Sequence, residues 1–282
     1  MMNDYRLGLY EKSMPGTLTL EEKLAHTRAA GFDYMEISID ETDEKLARLD
    51  MPAAERAALR DAIQKTGVPI VSMCLSGHRK YPLGSPDPAT AARSLEIMEK
   101  ALAFAADIGI RQIQLAGYDV YYTPGNEETR RLFAENLKKS VEMAARFGVM
   151  MGFETMETPF MNTVEKSMAY VTAMQNPYLQ VYPDIGNLTN AAKADGKDVL
   201  DDLRLGRGHL SAMHLKETVP GVFREVPYGT GHVDFPAAIR CAWELGVRMF
   251  VGEFWYTGSP EWEADLQKAN RFLREQFAAA GV

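Results

Sequence analysis

Four residues in the second half of the chain, Glu154, Asp184, His214 and Glu253, are of types that together hold a divalent metal ion, and they recur at intervals of 30, 30 and 39 residues. Each closes a short apolar run: Gly152-Phe153-Glu154, Val181-Tyr182-Pro183-Asp184, Ala212-Met213-His214 and Val251-Gly252-Glu253. Three carboxylates and an imidazole converging in a half-buried place would repel one another and shift their pKa values unless a cation sat between them. Oxygen-rich ligation with one nitrogen and no sulfur suits Mn²⁺, Co²⁺ or Zn²⁺, with Mg²⁺ a further candidate, and leaves positions open for substrate oxygens. A single residue of this kind is most simply a hydrogen-bonding group for a neighbouring loop. Four of them, at the ends of successive units, read better as one site.

Two glutamates beside an ion point to chemistry next to a carbonyl. A metal chelating the carbonyl oxygen and an adjacent hydroxyl of a sugar acidifies the intervening C–H and stabilises the enediolate that forms. Glu154 and Glu253, on either side, would remove a proton from one face and return one to the other, which inverts a stereocentre.

The elements that must position these residues announce themselves through a repeated junction, in which a helical pattern ends at glycine and an apolar run follows. Gly31 leads into 34–38, Gly67 into 70–75, Gly109 into 112–116, Gly148 into 150–154 and Gly246 into 249–253. Glycine relieves the Cβ clash at the left-handed position that closes a helix. The segments before these glycines have helical periodicity, with Leu95, Met98, Leu102 and Ala105 on one face and Phe133, Leu137, Val141 and Ala144 on another. The runs after them are apolar on both faces, as parallel strands covered by helices must be. Three more strands, at 7–10, 179–183 and 210–215, bring the count to eight, with a last helix from about 260 to 280. Eight βα units over 282 residues predict an α/β fold of the (β/α)8 TIM-barrel type, as one domain spanning residues 1–282. An open doubly wound sheet would carry a glycine fingerprint after the first strand, and Leu7-Gly8-Leu9-Tyr10-Glu11 is not one.

Composition narrows the function classes. With 46% apolar and 25% charged residues the chain has material for a core, and its net charge of −8 opposes nucleic acid as a partner. A local group of cations still holds one phosphate whatever the total charge. The start, Met1-Met2-Asn3-Asp4-Tyr5-Arg6, lacks a basic segment followed by an apolar run, and no stretch is long enough to span a bilayer, so the expectation is a cytoplasmic protein without a membrane partner. Cys74 and Cys241 are the only cysteines, which indicates neither a disulfide framework nor a thiolate metal site.

Several stretches carry a resemblance. Tyr118-Asp119-Val120-Tyr121-Tyr122, Pro183-Asp184-Ile185-Gly186-Asn187 and Pro220-Gly221-Val222-Phe223 resemble the L-ribulose-5-phosphate 3-epimerases, as do residues 38–44 and Arg79-Lys80-Tyr81-Pro82-Leu83-Gly84-Ser85. That family, also called L-xylulose-5-phosphate 3-epimerases and formerly hexulose-6-phosphate isomerases, belongs to the xylose-isomerase-like barrels. The resemblance spans essentially the whole chain. It implies metal-dependent inversion at C3 of a ketopentose 5-phosphate, interconverting L-xylulose 5-phosphate and L-ribulose 5-phosphate, with the same four residues as ligands and with Glu154 and Glu253 moving the proton. It also implies a homodimer. Relatives acting on free ketoses usually carry a histidine three residues after the sixth-strand aspartate and an arginine shortly after the seventh-strand histidine. Here those places hold Asn187 and Lys216-Glu217-Thr218, which weakens the case for an unphosphorylated substrate.

Further substrate-binding candidates follow from position. Glu36 is read either as a contact to sugar hydroxyls or as an inward structural carboxylate, and His78 and Arg79 are placed to reach the mouth after the third strand. Lys216 and Arg224 lie after the seventh strand, where many barrels bind phosphate, and Gly229-Thr230-Gly231 could offer backbone N–H groups to an anion or be only a turn. Cys74 and Met150-Met151 read as core, and His26, His209 and His232 as ordinary surface or packing histidines. The alternatives are an epimerase of free ketoses, an aldose–ketose isomerase with the same ion, a metal-dependent abasic-site endonuclease, and a non-catalytic metal or sugar binder. Negative charge and the single histidine among the four ligands oppose the endonuclease, and two opposed carboxylates serve no purpose in a binder.

Overall fold

In the computed structural model residues 4–282 are described; residues 1–3, part of the chain start considered above for a leader, lie outside the described residues. The apolar runs form eight strands: β1 (Arg6–Tyr10), β2 (Tyr34–Ile39), β3 (Ile70–Leu75), β4 (Gln112–Ala116), β5 (Met150–Glu154), β6 (Leu179–Tyr182), β7 (Met213–Leu215) and β8 (Met249–Gly252). The helices are α1 (Leu20–Ala29), α2 (Asp43–Ala47), α3 (Ala53–Thr66), α4 (Pro88–Ile108), α5 (Glu127–Phe147), α6 (Val164–Met174), α7 (Ile185–Asp195), α8 (Val199–Arg204), α9 (Phe235–Glu244) and α10 (Trp262–Ala280). All pairings between strands are parallel, in the order β6-β5-β4-β3-β2-β1-β8-β7. Between β6 and β7 the ring is completed only by isolated bridges, Val181 to Leu210 and Asp184 to His214, giving a nearly closed (β/α)8 TIM barrel. The seventh strand is therefore shorter than the run from 210 to 215 suggests, because Leu210 pairs with β6 and not with β8.

All five junction glycines adopt positive φ, between +67° and +96°, the conformation that lets each helix stop and the chain turn into the next strand. Met98, Leu102, Ala105 and the four residues on the α5 face are buried against the barrel, whereas Leu95 is only partly covered. Among the described residues no helix is long and apolar enough to cross a membrane.

Inside the ring a second, smaller cluster fills the barrel axis, with Tyr34 and Tyr182 as its largest fully buried side chains. Two strand glycines make room for them. A Cβ on Gly8 would meet the Tyr34 ring and one on Gly152 would lie 2.9 Å from Tyr182 Cβ, so only a residue without a side chain lets these rings cross the interior. At the mouth, just past β1, the fully buried Glu11 accepts from Lys23 at 2.9 Å and Arg48 at 2.8 Å, and also from Lys45. Burial alone would raise its pKa, but Arg48, Lys23 and Lys45 hold it well below the usual carboxylate range. This ion cluster ties α1, α2 and the turn after α2 to the exit of the first strand.

Candidate metal centre

Each of the four residues reaches the mouth from a different unit. Glu154 is the last residue of β5, His214 sits within β7, and Glu253 follows β8 with its N–H donating to Leu215 O at 3.0 Å. Asp184 caps α7, and its Oδ1 accepts from Asn187 N at 2.8 Å, which leaves Oδ2 facing the others. One potential ligand atom from each of the four lies within 4.8 Å of the rest, and all four side chains are buried. His214 Nδ1 is 3.0 Å from Glu253 Oε2, 3.6 Å from Glu154 Oε1 and 3.8 Å from Asp184 Oδ2.

The electrostatics of so tight a group are conflicted. Burial pushes Asp184 up to about 7, with Glu253 adding and Lys216 opposing. Burial acts on Glu253 in the same sense, but Lys216 and His214 outweigh it and hold this carboxyl below its ordinary value. Burial also disfavours the charge on His214, yet Glu36 and Glu253 keep its pKa well above the ordinary imidazole value. Lys216 Nζ, 3.0 Å from Asp184 Oδ2 and 3.5 Å from Glu253 Oε2, supplies part of the missing positive charge. It does so without aligned hydrogen bonding to Asp184, whose Oδ2 is buried and has no hydrogen-bond partner. An unsatisfied carboxylate oxygen, two further carboxylates and one imidazole nitrogen fit a divalent cation better than any neutral arrangement.

Above the four residues opens a cavity of about 170 Å³. Glu154 and Glu253 line it, and so do Arg79, Asn187, Lys216 and Arg224 of the substrate-binding candidates. Arg79 stacks 4.7 Å from the Tyr121 ring, and its buried Nε has no partner. Arg224 donates to Glu157 at 3.1 Å, and Glu157 also accepts from the Tyr118 and Tyr121 hydroxyls. Asn187 donates from Nδ2 to Thr155 O at 2.8 Å while its Oδ1 is unpaired. A larger cavity, of about 520 Å³ and lined by aromatic residues including Tyr228 and Phe272, shares only Trp255 with the mouth and contains none of the four.

One expectation is corrected and two readings left open are narrowed. His78 does not face the mouth: it is buried with Nε2 against Ser94 O at 3.1 Å, because residues 76–79 coil into a 3-10 turn, and burial lowers its pKa to about 4. Glu36 is not placed to touch a sugar: it is fully buried on the inner side of His214. The loop at Gly229-Thr230-Gly231 is already occupied by the chain's own anion, since Glu217 accepts from the backbone N–H of Thr218, Gly229 and Val233. Cys74 and Met151 are buried as expected, Met150 only partly, and Cys74 also edges the cavity. Sequence reasoning missed Lys12, Glu157 and Tyr10, which also line the mouth. Applying the strand-exit rule to the first strand would have found Tyr10 and Lys12, and the second acid in Glu154-Thr155-Met156-Glu157 was the signal for Glu157.

Comparison with known proteins agrees with this geometry. A family model described as xylose isomerase-like TIM barrel matches residues 24–276. The chain is 47% identical over 280 residues to L-ribulose-5-phosphate 3-epimerase UlaE of Escherichia coli O139:H28 (strain E24377A / ETEC), covering 98% of this chain and 96% of that relative. Among solved structures it is similar to an L-ribulose 3-epimerase (TM-score 0.79, 19% identity, 98% of this chain and 96% of that one). It is also similar to D-allulose 3-epimerase from Methylomonas sp. (TM-score 0.78, 19% identity, 97% and 98%). At that level of identity the two structures speak to the fold alone.

Proposed function

Because the chain belongs to the xylose isomerase-like TIM barrels and, within them, to the L-ribulose-5-phosphate 3-epimerases, a family of isomerases, we propose that it inverts C3 of a ketopentose 5-phosphate, interconverting L-xylulose 5-phosphate and L-ribulose 5-phosphate. The observation that carries the reading is the pair Glu154 and Glu253, which leave the barrel three strands apart and meet over one metal-binding group. A divalent ion held by Glu154, Asp184, His214 and Glu253 (Mn²⁺, Zn²⁺, Co²⁺ or Mg²⁺) supplies the positive charge that acidifies a C–H beside a carbonyl.

The chain's own residues do the rest. One glutamate takes the C3 proton and the other delivers a proton to the opposite face. Lys216, within 3.5 Å of Glu253, keeps that carboxylate ionised and so able to act as a base. Arg79 and Arg224, with Lys12 beside them in the lining, provide the cationic rim that a dianionic phosphate needs, and the free Oδ1 of Asn187 accepts from a sugar hydroxyl. Trp255 and Phe223 shield the reacting carbon from water.

Solvent-exchange NMR tests the proposal. With protein and Mn²⁺ in D₂O, L-xylulose 5-phosphate should gain deuterium at C3. Gain at C1 would instead make the protein an aldose–ketose isomerase. Glu154→Gln and Glu253→Gln should each cut turnover by about 10²- to 10⁴-fold, and full activity in both would end the two-base mechanism.

A further inference from the structure

The barrel interior holds a carboxylate that proton transfer and metal binding leave without a task. Glu36 of β2 is fully buried, lies behind the metal group and does not line the mouth cavity. Burying a carboxylate is costly unless its oxygens are satisfied, and here both are. Oε2 accepts from Ser72 Oγ at 2.7 Å and from the Tyr182 hydroxyl at 2.9 Å. Oε1 lies 2.7 Å from His214 Nε2.

Several devices of the fold serve this one carboxylate. The pairing of β2 with β3 shifts register between Met35 and Glu36, and the shift brings Ser72 opposite Glu36. Gly152 leaves the space through which Tyr182 passes, and it is the Tyr182 hydroxyl that pins the second oxygen. With Oε2 saturated by two hydroxyl donors, Oε1 is left as the acceptor for a proton on Nε2. That leaves Nδ1 as the ring nitrogen facing Glu154, Asp184 and Glu253, at 3.0 to 3.8 Å.

We propose that Glu36 is a positioning residue for the metal site: it fixes the Nε2–H tautomer and the ring plane of His214, and its charge makes Nδ1 a stronger donor to the ion. The inference rests on the metal-site reading given above. Partners of this kind behind a ligating histidine are worth about 10- to 100-fold in metal affinity.

The test compares Co²⁺ binding to wild type, Glu36→Gln and Glu36→Ala, read by competition titration and by the visible absorption of the bound ion. Glu36→Gln keeps an acceptor for Nε2–H and loses the charge, so its affinity should fall several-fold with an altered Co²⁺ spectrum; Glu36→Ala should lose about 10- to 100-fold. In a His214→Ala background Glu36→Gln should have no further effect. An equal effect there would overturn the proposal, as would wild-type-like affinity in a folded Glu36→Gln protein. A wild type that binds no ion would overturn the metal-site reading itself, and this inference with it. A measurement on the unaltered protein does not depend on the variants folding: ¹⁵N NMR of the Zn²⁺-loaded enzyme should find the His214 proton on Nε2, and a proton on Nδ1 would overturn the assignment.

Discussion

Loading the metal-free protein with Mn²⁺ is expected to expel protons, and their number follows from two groups. Asp184 keeps its proton up to about pH 7 because burial and Glu253 oppose its ionisation more than Lys216 favours it. His214 keeps its own well beyond the ordinary imidazole range: burial works against the charge, but Glu36 and Glu253 outweigh burial. An ion bound through these side chains needs Asp184 ionised and His214 Nδ1 bare. Below pH 7 binding should therefore release about one proton more than above it, because Asp184 still holds its proton below that point and has lost it above, while His214 stays protonated well beyond the ordinary imidazole range. Each proton released makes apparent affinity change about tenfold per pH unit, so the fall in affinity with decreasing pH should be about tenfold per unit steeper below pH 7 than above it. Isothermal titration in buffers of different ionisation enthalpy counts these protons directly. A count of zero, or one unchanged across this range, would refute the assignment of these two groups as ligands. The same shift bears on stability. The folded pKa of Asp184 lies above its ordinary value of 3.8, so the metal-free fold gains nothing from this group as pH rises. It instead loses stability as pH rises from about 4 to about 7.

Three other perturbations have defined outcomes. Arg79→Ala and Arg224→Ala should each raise KM for a ketopentose 5-phosphate by about 10- to 100-fold, as expected for a lost charged hydrogen bond, while leaving KM for the free ketose near its starting value; equal losses on both substrates would remove the phosphate role. Gly152→Ala places a Cβ 2.9 Å from Tyr182 Cβ and 3.0 Å from Ser211 Oγ. It should cost about 1–3 kcal/mol in urea unfolding, and an unchanged midpoint would mean that the strands shift freely at that point. Glu11→Ala leaves Lys23, 1% exposed, together with Lys45 and Arg48 and without their shared counter-ion. The expected loss is about 3–5 kcal/mol. Because the folded pKa of Glu11 is depressed, its contribution is complete above the ordinary carboxylate pKa and fades as pH falls through that range. The stability gap between wild type and variant should narrow in acid, and a gap independent of pH would count against the ion cluster.

Much of this molecule is legible along the chain because its signals are local. A glycine that must adopt positive φ, a run apolar on both faces and a helical stripe are each specified within about a dozen residues, and eight such units leave few ways to close. The same locality exposed Glu154, Asp184, His214 and Glu253. Each lies at or beside the exit of its own strand, and in a parallel barrel all strand exits share one face, so their convergence follows from topology without any contact being known.

Tertiary structure alone decided what each remaining side chain does once it arrives. Glu36 and His214 are separated by 178 residues, and nothing local to either indicates that a carboxylate in β2 faces the imidazole in β7 across the barrel axis. Lys216, expected among the phosphate contacts, also neutralises Asp184 and Glu253 because its strand-exit position carries Nζ inward between them. Glu217, one residue further, turns the other way and fills the glycine loop. His78 coils away from the mouth to meet a helix carbonyl. In each case side-chain type and strand position were readable from the sequence. The direction of the side chain depends on register and on the nearest unsatisfied partner, and both are set by parts of the chain that meet only in the folded barrel.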